Sequence, residues 1–142
     1  MQNNKKGLIL VETEDEKYFI DSEGIRQGKY INFTLYGNIL EIRNYVDNQL
    51  HGKYIRYDNH HKNIIEYECN YFQGLLHGEY IEYYPSGRIK TKYNIFNGKA
   101  EGECFKYENK ENSTPQIIHY RNGVECDKYD NTIQVKNARK KV

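Results

Sequence analysis

Polar and apolar residues alternate over short stretches of this chain, which is the pattern of strands with two different faces. After Gly52, we expect Tyr54 and Arg56 to point one way and Ile55 and Tyr57 to point the other. In a second stretch we expect every other residue to share one face: Ile65, Tyr67, Cys69 and Tyr71, and one unit later Ile89, Thr91, Tyr93 and Ile95. Turn-forming residues such as Pro85-Ser86-Gly87 separate the two stretches, so each pair predicts a β-hairpin.

This hairpin pattern repeats along the chain. A glycine followed by Lys or Glu and then by Tyr-Ile-x-aromatic, or by Cys-Phe-x-Tyr in the fourth copy, recurs at spacings of 24, 26 and 24 residues, in Gly28–Phe33, Gly52–Tyr57, Gly78–Tyr83 and Gly102–Tyr107. Another Gly or Asn lies four residues earlier in each copy, at Gly24, Asn48, Gly74 and Gly98. A degenerate fifth copy spans Gly123–Asp127. We therefore predict an all-β fold, a single-layer, elongated antiparallel sheet of stacked β-hairpin repeats.

The repeat divides the chain into three segments. Residues 1–23 contain Gly7–Val11 and Lys17–Ile20, which we interpret as an N-terminal hairpin cap. Residues 24–130 form the repeat array, with units that start near residues 24, 48, 74, 98 and 123. Residues 131–142 carry four positive charges and no acid, so we expect a flexible basic tail.

Composition supports a thin β structure inside the cell. The chain has 15 Tyr and 5 Phe but only 37% hydrophobic residues, so tyrosine supplies much of the apolar surface for burial. Its three cysteines are odd in number and form no Cys-x-x-Cys pair, which is typical of a reducing, cytoplasmic location. The apolar segment Gly7–Val11 is too short for a signal peptide or a membrane span.

The third unit resembles a known repeat family. Its sequence from Gly78 to Ile89, together with Tyr93 and Asn97-Gly98, resembles the MORN repeat, and it is most similar to a bacterial variant described as an antitoxin component of toxin–antitoxin pairs. The boundary sequences Leu50-His51-Gly52 and Leu76-His77-Gly78 also fit, whereas Gln27 replaces the histidine in the first unit. The resemblance extends from Gly24 to Tyr129, and it implies an open sheet that binds proteins, or in some relatives lipid, rather than a catalyst.

We predict no catalytic residue, no metal ligand and no cofactor. His51 and His77 share a repeat position, but no third ligand recurs with them, so packing at the unit boundary is favoured over a shared metal. Cys69, Cys104 and Cys126 fall at three different repeat positions, which argues against a thiolate cluster, and Cys104 replaces a repeat tyrosine. The chain has no nucleophile elbow, P-loop or dinucleotide fingerprint, so we do not expect an enzyme.

Two rows of aromatic residues lie on opposite faces of the predicted sheet. One row contains Tyr30, Tyr54 and Tyr80, and the other contains Phe33, Tyr57, Tyr83 and Tyr107. Because one sheet cannot bury both of its faces, we expect the first row to contribute to a surface for a partner protein. The alternative is that the first row only covers its own face. The other candidate partner-binding residues are Arg56, Glu82, Asn44, Asn70 and Asn94.

The favoured function is a non-catalytic protein-binding module, either antitoxin-like or a phage or pathogen inhibitor that neutralises a toxin or a host defence enzyme. A homodimer through the ends or edges of the sheet is also expected. Two alternatives use the tail residues Lys136, Arg139, Lys140 and Lys141: single-stranded nucleic-acid binding with exposed tyrosines, and a membrane-associated scaffold. Without these four charges the net charge of +1 becomes −3, which makes nucleic acid and membrane the less favoured partners.

Overall fold

A computed structural model describes residues 7–128 of the 142-residue chain, and these residues form one open antiparallel sheet. Its thirteen strands are β1 (Ile9–Glu12), β2 (Glu16–Ile20), β3 (Arg26–Phe33), β4 (Ile39–Val46), β5 (Gln49–Leu50), β6 (Gly52–Tyr57), β7 (Ile65–Phe72), β8 (Leu75–Leu76), β9 (Gly78–Tyr83), β10 (Ile89–Phe96), β11 (Lys99–Lys106), β12 (Gln116–Arg121) and β13 (Val124–Cys126). The predicted all-β fold with a single antiparallel sheet is confirmed. Within the described range, no helix is long and apolar enough to cross a membrane.

Neighbours in the sheet are also neighbours in the chain. The main path runs β1-β2-β3-β4-β6-β7-β9-β10-β11-β12-β13, while the two-residue strands β5 and β8 pair with the ends of β4 and β7. The predicted opening hairpin is present, because Ile9 of β1 lies opposite Ile20 of β2. Each unit therefore adds two strands, or about 10 Å, to the length of the sheet.

One backbone hydrogen bond per unit joins the turn at the start of that unit to the unit before it. The N–H groups of Asn48, Gly74, Gly98 and Gly123 donate to the carbonyl oxygens of Arg26, Leu50, Leu76 and Ala100, at 3.1, 2.8, 2.8 and 2.9 Å respectively. The four donors share one repeat position and have φ values of 64°, 81°, 80° and 80°. Glycine and asparagine tolerate this left-handed conformation best, which explains why only these two residue types occupy the position.

The two faces of the sheet have different side chains. The tyrosine face carries Tyr30, Tyr54, Tyr67, Tyr80 and Tyr93, whereas the isoleucine face carries Ile31, Ile42, Ile55 and Ile81. Tyr54 lies opposite Cys69, and Ile55 lies opposite Glu68, so neighbouring residues of β6 face opposite sides as predicted. No side chain in the described residues is completely buried, because a single sheet has no second layer to cover it.

A β-bulge changes the predicted pattern in the second strand of each middle unit. Ile89 lies opposite Tyr83 and Thr91 lies opposite Glu82, which leaves Lys90 as an extra residue between the two pairs. Since directly opposed residues share a face, Ile89 lies on the isoleucine face and Thr91 on the tyrosine face. The same shift separates Ile65 from Tyr67. The prediction that Ile65 and Ile89 share a face with the rest of their stretches is therefore wrong.

We expect Gly98→Ala to lower the free energy of unfolding by about 1–2 kcal/mol, because an L side chain at this positive φ is strained. The space around the position is open, so the loss would come from backbone conformation and not from a clash. Urea unfolding would measure it. Gly98→Asn is the matched control and should lose less, since Asn48 occupies the equivalent position with a φ of 64°. Equal stability of the two variants would contradict this explanation.

Candidate functional site

A row of stacked rings runs across the tyrosine face. The centroids of Tyr54 and Tyr67 are 5.7 Å apart, those of Tyr67 and Tyr80 are 5.6 Å apart, and those of Tyr80 and Tyr93 are 5.0 Å apart. Tyr30 and Tyr54 are only 4% and 8% exposed. The predicted partner surface contained Tyr30, Tyr54 and Tyr80. The expectation that it is exposed is wrong for Tyr30 and Tyr54, because their rings pack on neighbouring rings along the sheet.

A buried carboxylate anchors the middle of this row. Glu41 is 5% exposed, and its Oε2 accepts a hydrogen bond of 2.5 Å from the hydroxyl of Tyr54. The guanidinium groups of Arg43 and Arg56 also contact this carboxylate, the second at 3.4 Å. Charge and hydrogen bonds together compensate the burial of Glu41. Arg56, a predicted partner-binding residue, thus takes part in an internal ion pair, and its contact with a partner stays a prediction.

The row of rings ends at the fourth unit, where Cys104 occupies the repeat position of Tyr30, Tyr54 and Tyr80. The thiol is much smaller than a phenol ring, and Ala100 beside it is small too. A groove of about 580 Å³ lies above these two residues. The groove is lined by Tyr80, Glu82, Tyr84, Lys90, Thr91, Tyr93, Ala100, Cys104, Lys106, Tyr107 and Tyr120.

The groove combines aromatic walls with charged groups. Tyr80 and Tyr93 contribute rings, while the ammonium group of Lys90 contacts the Glu82 carboxylate at 2.7 Å. Lys106 is exposed and forms no ion pair among residues 7–128, so its charge is available to a bound group. Burial raises the pKa of the Cys104 thiol and of the Tyr93 hydroxyl, so both groups are neutral at pH 7.

Two hydrogen bonds to the backbone of Tyr107 stabilise one end of the groove. The hydroxyl of Tyr84 donates a 2.8 Å hydrogen bond to the carbonyl oxygen of Tyr107. The backbone N–H of Tyr107 in turn donates to the carbonyl oxygen of Lys90, the extra residue of the bulge, at 2.9 Å. The third and fourth units are therefore joined beside the groove by contacts that hold its shape.

The groove is lined by only two of the predicted partner-binding residues. Tyr80 and Glu82 both line the groove. Asn44 and Asn70 lie on the isoleucine face, where their side-chain amides donate to the carbonyl oxygens of Lys53 and Glu79 across the unit boundaries. Asn94 is exposed on that same face, opposite Glu101. The three asparagines share one face, and two of them join neighbouring strands.

Of the eleven groove residues, sequence reasoning named only Tyr80 and Glu82 as partner-binding candidates, and the residues that it missed include Lys90, Tyr93, Cys104, Lys106 and Tyr120. One available signal was the substitution of Cys104 for a repeat tyrosine, which leaves the volume of a ring unfilled. The position of Lys90 had no such signal, because it depends on a bulge that a repeat pattern does not reveal.

The boundary histidines pack as predicted. The ring of His51 lies 5.2 Å from that of Phe72, and the ring of His77 lies 5.2 Å from that of Phe96. Their Nδ1 atoms accept from the backbone N–H groups of Gln73 and Asn97, at 3.4 and 3.5 Å. Among the residues that the structure covers, no three His, Cys, Asp or Glu side chains are grouped so as to hold a metal ion. The tail candidates Lys136, Arg139, Lys140 and Lys141 lie outside the described residues.

The turn between β3 and β4 carries two further exposed apolar side chains. Leu35 and Tyr36 are 94% and 91% exposed at its tip. The turn from Thr34 to Asn38 makes the same two backbone hydrogen bonds as the turn from Tyr84 to Arg88 in the third unit, where the tip is Pro85-Ser86. The turn conformation therefore does not require Leu35 and Tyr36, and both side chains are accessible to a partner.

A search of protein-family models finds none that matches this chain, and a search of curated proteins finds no match either.

We expect the protein to lose stability between pH 10 and pH 12. Burial, reinforced by a hydrogen bond from its hydroxyl to Glu16, raises the pKa of Tyr30 from 10.0 to about 12. A pKa that is higher in the folded state stabilises the fold below pH 10, and this contribution is lost as the pH rises through 12. Urea unfolding at a series of pH values would show a smaller decrease for Tyr30→Phe than for the wild type. Tyr36→Phe removes an exposed hydroxyl and should retain the wild-type decrease, and an identical decrease in all three proteins would contradict the assignment.

Proposed function

We propose that this chain is a non-catalytic protein-binding module that holds an apolar side chain of a partner protein in the groove above Cys104. The observation that supports this most is the interruption of the tyrosine row at one repeat unit. A repeat that was selected only for packing would have a ring at this position as well. The gap instead leaves an aromatic-walled concavity on the tyrosine face.

The chemistry of the groove fits a protein side chain as its occupant. Aromatic walls around a small concavity are typical of the central pockets in protein interfaces, where one buried side chain supplies much of the binding energy. The exposed charge of Lys106 at the rim favours a carboxylate next to that side chain. We therefore infer a partner segment with an aromatic or large aliphatic residue close to an Asp or Glu.

The groove is also held in shape before any partner binds. The rings of Tyr80 and Tyr93 are in contact at an interplanar angle of 34°, Lys90 is paired with Glu82, and Tyr84 is hydrogen-bonded across the unit boundary. Side chains that are already ordered lose little conformational entropy on binding, which favours affinity from a small contact area. An ordered groove therefore favours specific binding of one segment over loose association along the whole face.

The proposal also covers the repeat family and the kind of binding module. We propose that the chain is a MORN-like repeat protein, on the basis of the Gly78–Ile89 sequence and of hairpins that follow one another in the sheet. An antitoxin-like or phage or pathogen inhibitor is the kind of binding module that fits this assignment. Its location in the cytoplasm and its target, a toxin or a host defence enzyme, remain predictions.

A library of random peptides displayed on phage, selected against the full chain, would test the groove. We expect enriched peptides to share an aromatic or large aliphatic residue near an acidic one. Cys104→Tyr restores the repeat residue and fills the groove, so it should weaken binding of these peptides by about tenfold or more. Lys106→Glu should weaken the acidic peptides selectively. Fluorescence polarisation with synthetic peptides would measure both effects.

The matched control is Lys62→Glu, which reverses an exposed charge in the turn between β6 and β7, away from the groove. This variant should bind the peptides like the wild type, and circular dichroism should show that all variants keep their β structure. Peptides that bind Cys104→Tyr as tightly as the wild type would contradict the proposal, and so would a selection that enriches none.

A further inference from the structure

One repeat position on the isoleucine face carries charges whose sign changes halfway along the sheet. The residue after each repeat glycine is exposed and lies on this face: Lys29 on β3, Lys53 on β6, Glu79 on β9 and Glu103 on β11. One half of the face therefore has two positive charges, and the other half has two negative charges at equivalent positions. The repeat alone does not require this division, since Lys and Glu are both compatible with an exposed strand position.

The change of sign is centred on the middle strand. β7 is the sixth of the eleven strands on the main path, with five strands on either side. Lys53 and Glu79 lie on the two strands that flank β7, and Lys29 and Glu103 each lie three strands away from it. A half-turn about an axis parallel to β7 would therefore superpose each lysine position on a glutamate position.

An exposed apolar row has the same centre. Val46, Phe72 and Phe96 are the last residues of β4, β7 and β10, and they are 48%, 50% and 59% exposed. The rings of His51 and His77 lie between them, with centroids 5.2 and 6.0 Å from that of Phe72. Such a continuous apolar row in a chain this polar marks a contact surface. The half-turn about β7 places Phe72 on itself and exchanges Val46 with Phe96.

We propose that two copies of this chain form a homodimer in which their isoleucine faces pack against each other, related by a two-fold axis parallel to β7. Lys53 of each copy faces Glu79 of the other copy, and Lys29 faces Glu103. The two Phe72 side chains meet at the axis. Strands of the two sheets then run within about 30° of each other, as in other aligned sheet pairs.

The available area is sufficient for a stable dimer. From β2 to β12 the main path has eight strand spacings, or roughly 38 Å at about 4.8 Å each. A six-residue strand is about 20 Å long, so the face offers on the order of 750 Å² per copy. Stable specific interfaces bury about 800 Å² per partner. A second copy thus matches this face in size as well as in charge.

Existing ion pairs on this face do not prevent the contact. The ammonium group of Lys53 contacts Glu68 at 2.7 Å, and that of Lys92 contacts Glu79 at 2.8 Å. The side chains of Lys53, Lys92 and Glu79 are 55%, 41% and 47% exposed, so these groups can reorient when a further charge approaches. Glu68, which is close to the proposed axis, is compensated by Lys53 and by a hydrogen bond of 2.9 Å from the Tyr83 hydroxyl.

This dimer differs from one that pairs the sheet edges. The outer strands β1 and β13 take no part in it, and the groove on the opposite face stays accessible in both copies. The proposal is therefore independent of the proposed function: one face binds a second copy, and the other face binds a partner. Either could fail without the other.

Multi-angle light scattering of the full chain after size exclusion, at about 100 µM, would give the first test. We expect the wild type at twice the monomer mass of 17.0 kDa. Lys53→Glu and Glu79→Lys each create two contacts between like charges, and each should weaken dimerisation by about tenfold or more. A monomeric wild type at this concentration would overturn the proposal.

Mixing the two variants gives the decisive measurement. Lys53→Glu has a glutamate at both positions and Glu79→Lys has a lysine at both, so an equimolar mixture should form a heterodimer although neither variant dimerises alone. The double variant Lys53→Glu/Glu79→Lys should dimerise like the wild type. A variant that had only lost its fold would not recover on mixing, so recovery separates a charge contact from misfolding.

Lys62→Glu is the matched control, because it makes the same charge change in an exposed turn, and it should leave the dimer intact. Single reversals that dimerise like the wild type would indicate an interface elsewhere, such as the sheet edges, and would overturn the proposal. A mixture that stays monomeric would overturn it as well.

Discussion

Ring-on-ring packing of tyrosines stabilises one face of this protein, where a second layer of structure would do so in most domains. In a two-layer domain, apolar side chains of one sheet are covered by the other layer. Here the rings of Tyr54, Tyr67, Tyr80 and Tyr93 cover one another at centroid distances of 5.0–5.7 Å. The hydroxyl groups remain near the surface or bind carboxylates such as Glu41. Tyrosine suits this role because its ring can be buried while its polar end is hydrated or paired.

Such packing makes each repeat position sensitive to the size of one side chain. When Cys104 replaces a ring, no residue from another layer is available to fill the space, and a groove results. In a closely packed interior, neighbouring side chains would partly fill the same space. A repeat protein with one layer can therefore acquire a concave site through a single change in its sequence, without any insertion or new element.

The two faces of the sheet differ in how their charges are compensated. On the tyrosine face, Glu41 is buried and is neutralised within the chain by Arg43 and Arg56. On the isoleucine face, the charges that follow the repeat glycines are exposed, and those of Lys29 and Glu103 form no ion pair within residues 7–128. The first arrangement stabilises a monomer, whereas the second leaves charges that a second molecule can neutralise.

Much of this structure follows from local patterns in the sequence. The hairpins, their order and their turns could be predicted because a glycine or asparagine with positive φ recurs at constant spacing, and alternation determines which residues of β6 share a face. The packing role of His51 and His77 followed from their repeat position. All of these features depend on a residue and its near neighbours in the chain, so the sequence alone is sufficient to predict them.

Other features depend on contacts between distant residues, and only the tertiary structure decided them. The bulges that move Ile65 and Ile89 to the isoleucine face arise from the pairing of two strands, which neither strand encodes by itself. Which aromatic row is buried depends on ring contacts across several units, so Tyr30 and Tyr54 are covered although alternation permits either face to be exposed. The groove forms because Lys90, Cys104 and Tyr120, which lie on the three neighbouring strands β10, β11 and β12, come together. The sequence by itself determined the hairpin array, and strand pairing determined which of its surfaces remain open to another molecule.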